Sequence, residues 1–226
     1  MDGLWWGRPG DWTVPVSALG LHTGLSTGLF HAVSLVLASS SAIRRAMLDQ
    51  AGVAYQVDCP KVDEDPIQAV HEGQDFELAL SLAEAKSIDV SARRPGDWVI
   101  GGDSVISVEG RRFSKPASRE EAAEHLRFFS GKPMRLVSAV AIARDGAIDW
   151  NHISDAVLHI RPLSENFIAD YLDAEWPEVS YWVGVFRMEA RGVTLFDQVE
   201  GDHFTILGMP LLPLLAALRE RGIVAS

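Results

Sequence analysis

Hydrophobic and polar positions along the chain fall into short apolar runs and longer amphipathic stretches, which predict strands and helices in irregular alternation. VSLVLA, over 33–38, is short, apolar, rich in β-branched residues and bounded by serines, so it predicts a buried strand. A helix is expected directly afterwards. In AIRRAMLDQAG, Ile43, Met47 and Leu48 share one face, the preceding serines can cap the N-terminus, and Gly52 suits the residue after the C-cap. VAYQVDC, over 53–59, alternates as a second strand until Pro60 interrupts the ladder before an acidic turn, KVDEDP. The next helix starts near Asp75, carries Leu78, Leu82 and Ala85 at helical spacing, and ends around Lys86 ahead of a polar stretch through Gly96.

WVIGGDSVISV, over 98–108, predicts a strand in which Gly101 and Gly102 mark a bulge or a close approach of backbone. Glu109-Gly110 reads as a hairpin turn, and SREE over 118–121 as a capping box opening a helix with Ala122, Leu126 and Phe129, ended by Gly131. Strands at about 134–143 and 148–161 flank a turn at Arg144-Asp145-Gly146. A helix capped by Ser164 presents Phe167, Ile168 and Tyr171; a strand at about 193–199 and a leucine-faced helix from Pro210 through Leu218 complete the chain. This mixture predicts an α/β protein with a mixed, twisted sheet and two lobes around a cleft. The first thirty or so residues, with Trp5, Trp6 and Trp12 among Gly, Pro, Ser and Thr, show neither period. Residues 1–31 read as a weakly ordered extension or an over-called start, and 32–226 as a single domain; a signal peptide fits poorly, because the n-region has Arg8 against Asp2 and Asp11.

The 226 residues are 47% hydrophobic and 23% charged, which is globular composition and excludes disorder throughout. A formal net charge of -11 argues against a general nucleic-acid binder, which needs a basic face, so any phosphate site must be local. Cys59 is the single cysteine, which excludes an internal disulfide and a cysteine-built zinc site and favours the cytoplasm. No apolar run is long enough to predict a membrane span.

The turn SSSAIRR (39–45) joins a buried strand to a helix N-terminus, where free amides and the dipole favour an anion; it also fits an ordinary capped helix with solvated arginines. Asp103 follows the double glycine at what reads as the end of an apolar strand, rigid enough for a general base, or for a turn aspartate bonded to nearby backbone. Glu64 sits in an acidic loop of a kind usually solvated. Lys86 at a helix end can complement the dipole and nothing more, whereas Lys115 precedes Pro116, whose extended bias could aim its ammonium from a fixed loop; either lysine equally fits a surface solubiliser. The seven histidines are scattered without a zinc-hydrolase spacing, and neither a P-loop nor a G-x-S-x-G elbow occurs.

Taken in order, LASSSAIRR (37–45), VDE (62–64), LAEAK (82–86), GGDSV (101–105), SKP (114–116), FSG (129–131), VEGD (199–202) and LGMPL (207–211) resemble the Maf family of nucleoside triphosphate pyrophosphatases, from about Leu35 to Arg221. The resemblance implies two α/β lobes with a curved mixed sheet and a central nucleotide cleft, as in the inosine triphosphatases. It implies hydrolysis of a nucleoside triphosphate to its monophosphate and pyrophosphate, with magnesium or manganese as cofactor. By carry-over, Asp103 would accept the proton of the attacking water, Ser39, Arg44, Lys86 and Lys115 would hold the triphosphate, and Glu64 would assist the metal, with Asp103 a further ligand.

The family turn usually reads S-P-R-R, but Ala42 and Ile43 stand here for Pro and the first Arg. In the branch acting on dTTP and UTP, specificity is associated with that Arg, a Thr after the catalytic Asp and a later Gln; this chain has Ile43, Ser104 and Glu189. A glutamate at the last position resembles the branch that hydrolyses 7-methyl-GTP, and a carboxylate can accept from guanine N1–H and its 2-amino group. Ile43 and Ser104 match neither branch. The expected partner is a nucleoside triphosphate, without nucleic acid or membrane, and a homodimer is compatible with this reading. Two rivals are a non-catalytic nucleotide-binding regulator of cell division, which the family's association with septum formation suggests, and a plain α/β domain whose motif residues are caps and surface charges.

Overall fold

The computed structural model describes residues 34–225, which belong to one compact unit; the expectations for residues 1–31 lie outside the described residues. In chain order the elements are β1 (Leu35–Ala38), α1 (Ala42–Gln50), β2 (Gln56–Val57), α2 (Asp65–Val70), α3 (Asp75–Arg93), β3 (Trp98–Val108), β4 (Arg111–Phe113), α4 (Arg119–Phe129), β5 (Pro133–Arg144), β6 (Ala147–Ile160), α5 (Glu165–Glu175), β7 (Phe196–Glu200), α6 (His203–Ile206) and α7 (Leu211–Glu220). Two 3-10 turns, Glu178–Tyr181 and Arg191–Leu195, precede β7. No helix among the described residues is long and apolar enough to cross a membrane.

The mixed sheet has the order β2-β1-β3-β5-β6-β7, with β4 also on β3; β2, β1 and β3 are parallel and the other pairs antiparallel. Local chemistry sets most boundaries. Ser41, Ser118 and Ser164 each accept the amide three residues on, so α1, α4 and α5 begin where a hydroxyl satisfies an orphan donor. In the SREE segment the Glu121 carboxylate reaches back to Ala117 N at 2.7 Å, one residue before the cap.

Four boundaries differ from the sequence expectation, the last strand beginning only at Phe196 because Arg191–Leu195 forms a 3-10 turn. The second strand shrinks to Gln56–Val57, both exposed at the sheet edge, where little apolar burial rewards a longer ladder. The acidic turn continues into α2, with Pro66 in its first turn, where a missing N–H does no harm. The helix expected to end at Lys86 runs on to Arg93, because Val90 packs against Val36, Ala38 and Val99, while Ser87 and Ser91 bond back to Glu84 O and Ile88 O.

Alternation along the strands sorts side chains between two layers. Leu35, Leu37 and Ile100 face a core with Met47 and Leu48 of α1 and Leu214 and Leu218 of α7. Val36, Ala38 and Val99 face α3. Farther along β3 and β5, Ile106, Val108, Met134 and Leu136 enter a second large core with Leu126, Phe129, Ile168 and Tyr171 of α4 and α5. The long strands therefore run from one core into the other, in keeping with two lobes.

Within that second core His125 is buried against Phe113, ring centroids 5.0 Å apart, and its Nδ1 has no hydrogen-bond partner. Burial lowers its pKa from the ordinary 6.5, against an opposing pull from Glu121. The unfolded chain thus binds the proton more readily. Stability from this group is complete above about pH 6.5 and is lost as pH falls below it. His125→Phe is expected to flatten that loss, read as the drop in thermal midpoint between about pH 7.5 and 5.5; equal drops in both proteins would discount the histidine.

Candidate active site

The site is built around an interruption in strand pairing. β5 accompanies β3 along its whole length, from Trp98↔Arg144 to Val108↔Met134. On the opposite edge β1 reaches only Gly101, through Ala38, and β4 begins only at Ile106, through Phe113. Residues 102–105 have no strand beside them on that edge. The chain leaving β1 enters the serine turn at Ser39, and the chain leaving β4 enters Ser114-Lys115, so both emerge at the opening. A cleft of about 840 Å³ occupies it, at the carboxyl ends of strands, where ligands of open α/β sheets commonly bind.

Because successive β3 residues point to opposite faces, the opening receives groups from both layers. Gly101, Asp103 and Val105 face α3. At Gly101 an added Cβ would stand 2.2 Å from Ala83 O, so this glycine lets α3 lie directly on the strand. That approach brings Lys86 to Asp103: Lys86 Nζ donates to Asp103 Oδ1 at 2.5 Å and pairs with Glu64 Oε1 at 2.8 Å. The Asp103 and Lys86 side chains are only 14% and 13% exposed, against 40% for Glu64. Asp103 Oδ2 accepts no hydrogen bond among the described residues. Asp103 lies in the middle of β3, whose bounds match the strand expected over 98–108, and Lys86 is mid-helix rather than at a helix end.

On the other face Ser104 meets Arg44 of α1. Arg44 Nη2 donates to Ser104 Oγ at 3.2 Å and Nε to Gly208 O at 2.8 Å. Ser138 Oγ donates to Thr205 O at 2.8 Å and so accepts from Ser104 Oγ, 2.9 Å away. Burial pushes the Arg44 guanidinium below its ordinary pKa, while Asp103 and Glu64 push it back up. An arginine remains charged under such opposing effects. Gly208 needs its positive φ of 97° and its small size, since a Cβ would press to 3.1 Å from Ser104 Oγ.

Ser39, Ile43, Arg44, Glu64, Lys86, Asp103, Ser104 and Lys115 all line this one cleft. Lys115 is exposed and has no carboxylate partner among the described residues. Glu189 is different: it is exposed and is not part of the lining. Its segment is tied elsewhere, Arg187 donating to the buried Glu175 at 3.0 and 2.8 Å and Gly192 packing on the Arg187 backbone. The sequence gives no role to Ser138, Arg112 or Glu178, and Tyr181 and Trp182 stand out only within SYWVGVF, a stretch that resembles the 7-methyl-GTP branch. Ser138 hides inside an apolar strand, and Glu178 sits in a stretch without periodicity.

No group of three or more His, Cys, Asp and Glu side chains among the described residues could hold a metal on protein ligands alone. The pair Glu64 and Asp103 nevertheless suits magnesium, which is bound through one or two carboxylates and completes its shell with water and substrate phosphates.

A family model described as Maf-like protein matches residues 34–221. The chain belongs to the Maf-like family. Among Maf-like relatives, a nucleoside triphosphate pyrophosphatase of Sphingopyxis alaskensis is 47% identical over 84% of this chain and 98% of its own length. A 7-methyl-GTP pyrophosphatase of Rhizobium etli is 44% identical over 84% and 97%. A nucleoside triphosphate pyrophosphatase of Nitrobacter hamburgensis is 46% identical over 84% and 95%. Among solved structures, a nucleoside-triphosphatase / dITP/XTP pyrophosphatase of Mycobacterium abscessus gives a TM-score of 0.38 at 14% identity, over 84% of this Maf-like chain and 95% of that one.

Proposed function

We propose that this cleft hydrolyses a nucleoside triphosphate to its monophosphate and pyrophosphate. The observation that carries the reading is one ammonium, Lys86, shared by Asp103 and Glu64 inside a cleft that also presents Arg44 and Lys115. Relatives named as nucleoside triphosphate pyrophosphatases at 46–47% identity support it.

Attack of water on the α-phosphorus needs a proton acceptor and cations against the charge that builds on the leaving pyrophosphate. Asp103 supplies the acceptor through Oδ2, in a rigid position set by β5 on one side and by Lys86 on Oδ1. Ser39, Arg44, Lys86 and Lys115 bind and orient the phosphates. Ser104 is a positioning residue, acting through Arg44. Glu64 and Asp103 would hold a magnesium or manganese ion, whose chemistry there is the neutralisation of phosphate charge in the transition state. A cytoplasmic setting, where nucleoside triphosphates are abundant, fits this role. The 44% identical relative named for 7-methyl-GTP makes a methylated guanine the first base to try.

Pyrophosphate release from 7-methyl-GTP, GTP, ITP, UTP and dTTP tests the proposal. Turnover is expected with magnesium or manganese, fastest on 7-methyl-GTP, to vanish with a chelator and to return when metal is restored. Nucleotide binding without pyrophosphate from any of them would favour the regulatory alternative.

A further inference from the structure

Two of the sequence motifs, VEGD and LGMPL, have no task in the chemistry above. In the fold they enclose α6, a single turn in contact with β5 and β6. Gly201 has φ of 117°, and a Cβ there would stand 2.8 Å from Ala156 Cβ and 3.0 Å from Asp155 O, so glycine lets the chain leaving β7 stay against β6. Asp202 follows and caps the turn, its Oδ2 accepting from Thr205 N at 2.8 Å and from Thr205 Oγ1 at 3.2 Å. At the other end Gly208 donates its N–H to Thr205 O at 3.0 Å and offers its own carbonyl to Arg44 Nε.

Ser138 links that turn to the cleft. It is fully buried in β5, in LVSAVAI, where an alanine would fill nearly the same space with no polar atom to satisfy. Its hydroxyl completes a chain whose direction is fixed at both ends. Arginine can only donate and a carbonyl can only accept, so the hydrogens run from Arg44 Nη2 to Ser104 Oγ at 3.2 Å, on to Ser138 Oγ at 2.9 Å, and finally to Thr205 O at 2.8 Å. Without the Ser138 hydroxyl, Ser104 is left with Gly208 O, 3.3 Å away, as its acceptor. That rotation aims its lone pairs away from Arg44 Nη2 and crowds the carbonyl that Arg44 Nε uses.

Resting on the phosphate-binding role of Arg44 in the hydrolytic reading, we propose that Ser138 and Asp202 are positioning residues for Arg44. Neither lines the cleft. Ser138 acts on the Ser104 hydroxyl, and Asp202 fixes the turn that carries Thr205 O and Gly208 O, the two carbonyls on which the chain and the guanidinium rest. Such support matters for an arginine, because its planar fork bonds phosphate oxygens only when correctly turned. A guanidinium held from behind by a hydroxyl and a carbonyl loses less freedom when the anion arrives.

Titration calorimetry with magnesium pyrophosphate reads the chain without turnover. Ser138→Ala is expected to fold and to weaken pyrophosphate binding about fivefold. Asp202→Ala should weaken it about threefold, whereas Asp202→Asn, which keeps a capping oxygen, should bind as the wild type does. With Arg44→Met already present, Ser138→Ala should cost nothing further, since a residue that acts only through Arg44 then has nothing to act on. Thermal melts identify any variant that fails to fold; should Asp202→Ala be one, Ser138→Ala and its cycle with Arg44→Met decide. Unchanged affinity in folded Ser138→Ala, the same loss with Arg44→Met present, equal losses in Asp202→Ala and Asp202→Asn, or a wild type that does not bind pyrophosphate would overturn the assignment. If the variants behave as expected yet the wild type releases no pyrophosphate from any triphosphate, the hydrolytic reading fails and the positioning chain stands.

Discussion

Asp103→Asn is expected to reduce kcat for pyrophosphate release by about 10³-fold or more, because an amide cannot accept the proton of the attacking water. The fold should survive. Asparagine has the same shape, its oxygen still accepts from Lys86, and Lys86 keeps its second partner, Glu64, at 2.8 Å. The thermal midpoint is therefore expected to move little. A metal titration adds a second readout: if Asp103 serves only as the base, the metal concentration for half-maximal rate stays put, and if it is also a ligand, that concentration rises. Near wild-type turnover in the asparagine variant would remove Asp103 from the chemistry.

Gly101→Ala is expected to produce the largest loss of stability of any single methyl added to β3. The new Cβ would lie 2.2 Å from Ala83 O and 2.7 Å from Ser87 N, both backbone atoms of α3 that cannot rotate away. The helix would have to lift from the strand, and overpacking against backbone is expected to cost about 3 kcal/mol, read as a fall in the urea midpoint. Gly102→Ala provides the contrast: its nearest contacts are Ala139 O at 3.3 Å and Arg44 Nε at 3.4 Å. That variant should fold and lose activity through a displaced Arg44. Comparable midpoints for the two variants would contradict the description of the α3 contact.

Much of the fold is legible in the chain because its signals are local. Serine caps, glycines after helices and the Glu109-Gly110 and Asp145-Gly146 turns state their positions through nearest-neighbour chemistry, and the double glycine announces a close contact before its partner is known. The errors come where tertiary burial overrides local cues. The second strand stops at two residues because its edge position offers little burial, and α3 outlasts Lys86 because Val90 has a core to enter.

An ordered set of motifs marks the candidate residues in the chain, but their grouping depends on strand register and helix placement, which the chain does not spell out. That Ser104 would bond to Ser138 requires knowing which residues of β3 and β5 stand side by side, and that Arg44 would bond to Gly208 requires knowing how α1 meets the loop after α6. Glu189 illustrates the converse, since a well-placed letter in a motif gives no view of the turn that carries it past the cleft.

The interruption beside residues 102–105 has a mechanical side. Both walls of the cleft are fastened to the same pair of unbroken strands, β3 and β5, which run beneath it without a gap. Swinging one wall against the other would shear or bend a continuous ladder, so the width of the cleft is held like the jaws of a fixed gauge. Nucleotides should be sorted by whether they fit that span, with adjustment left to the loops at Ser39 and Lys115.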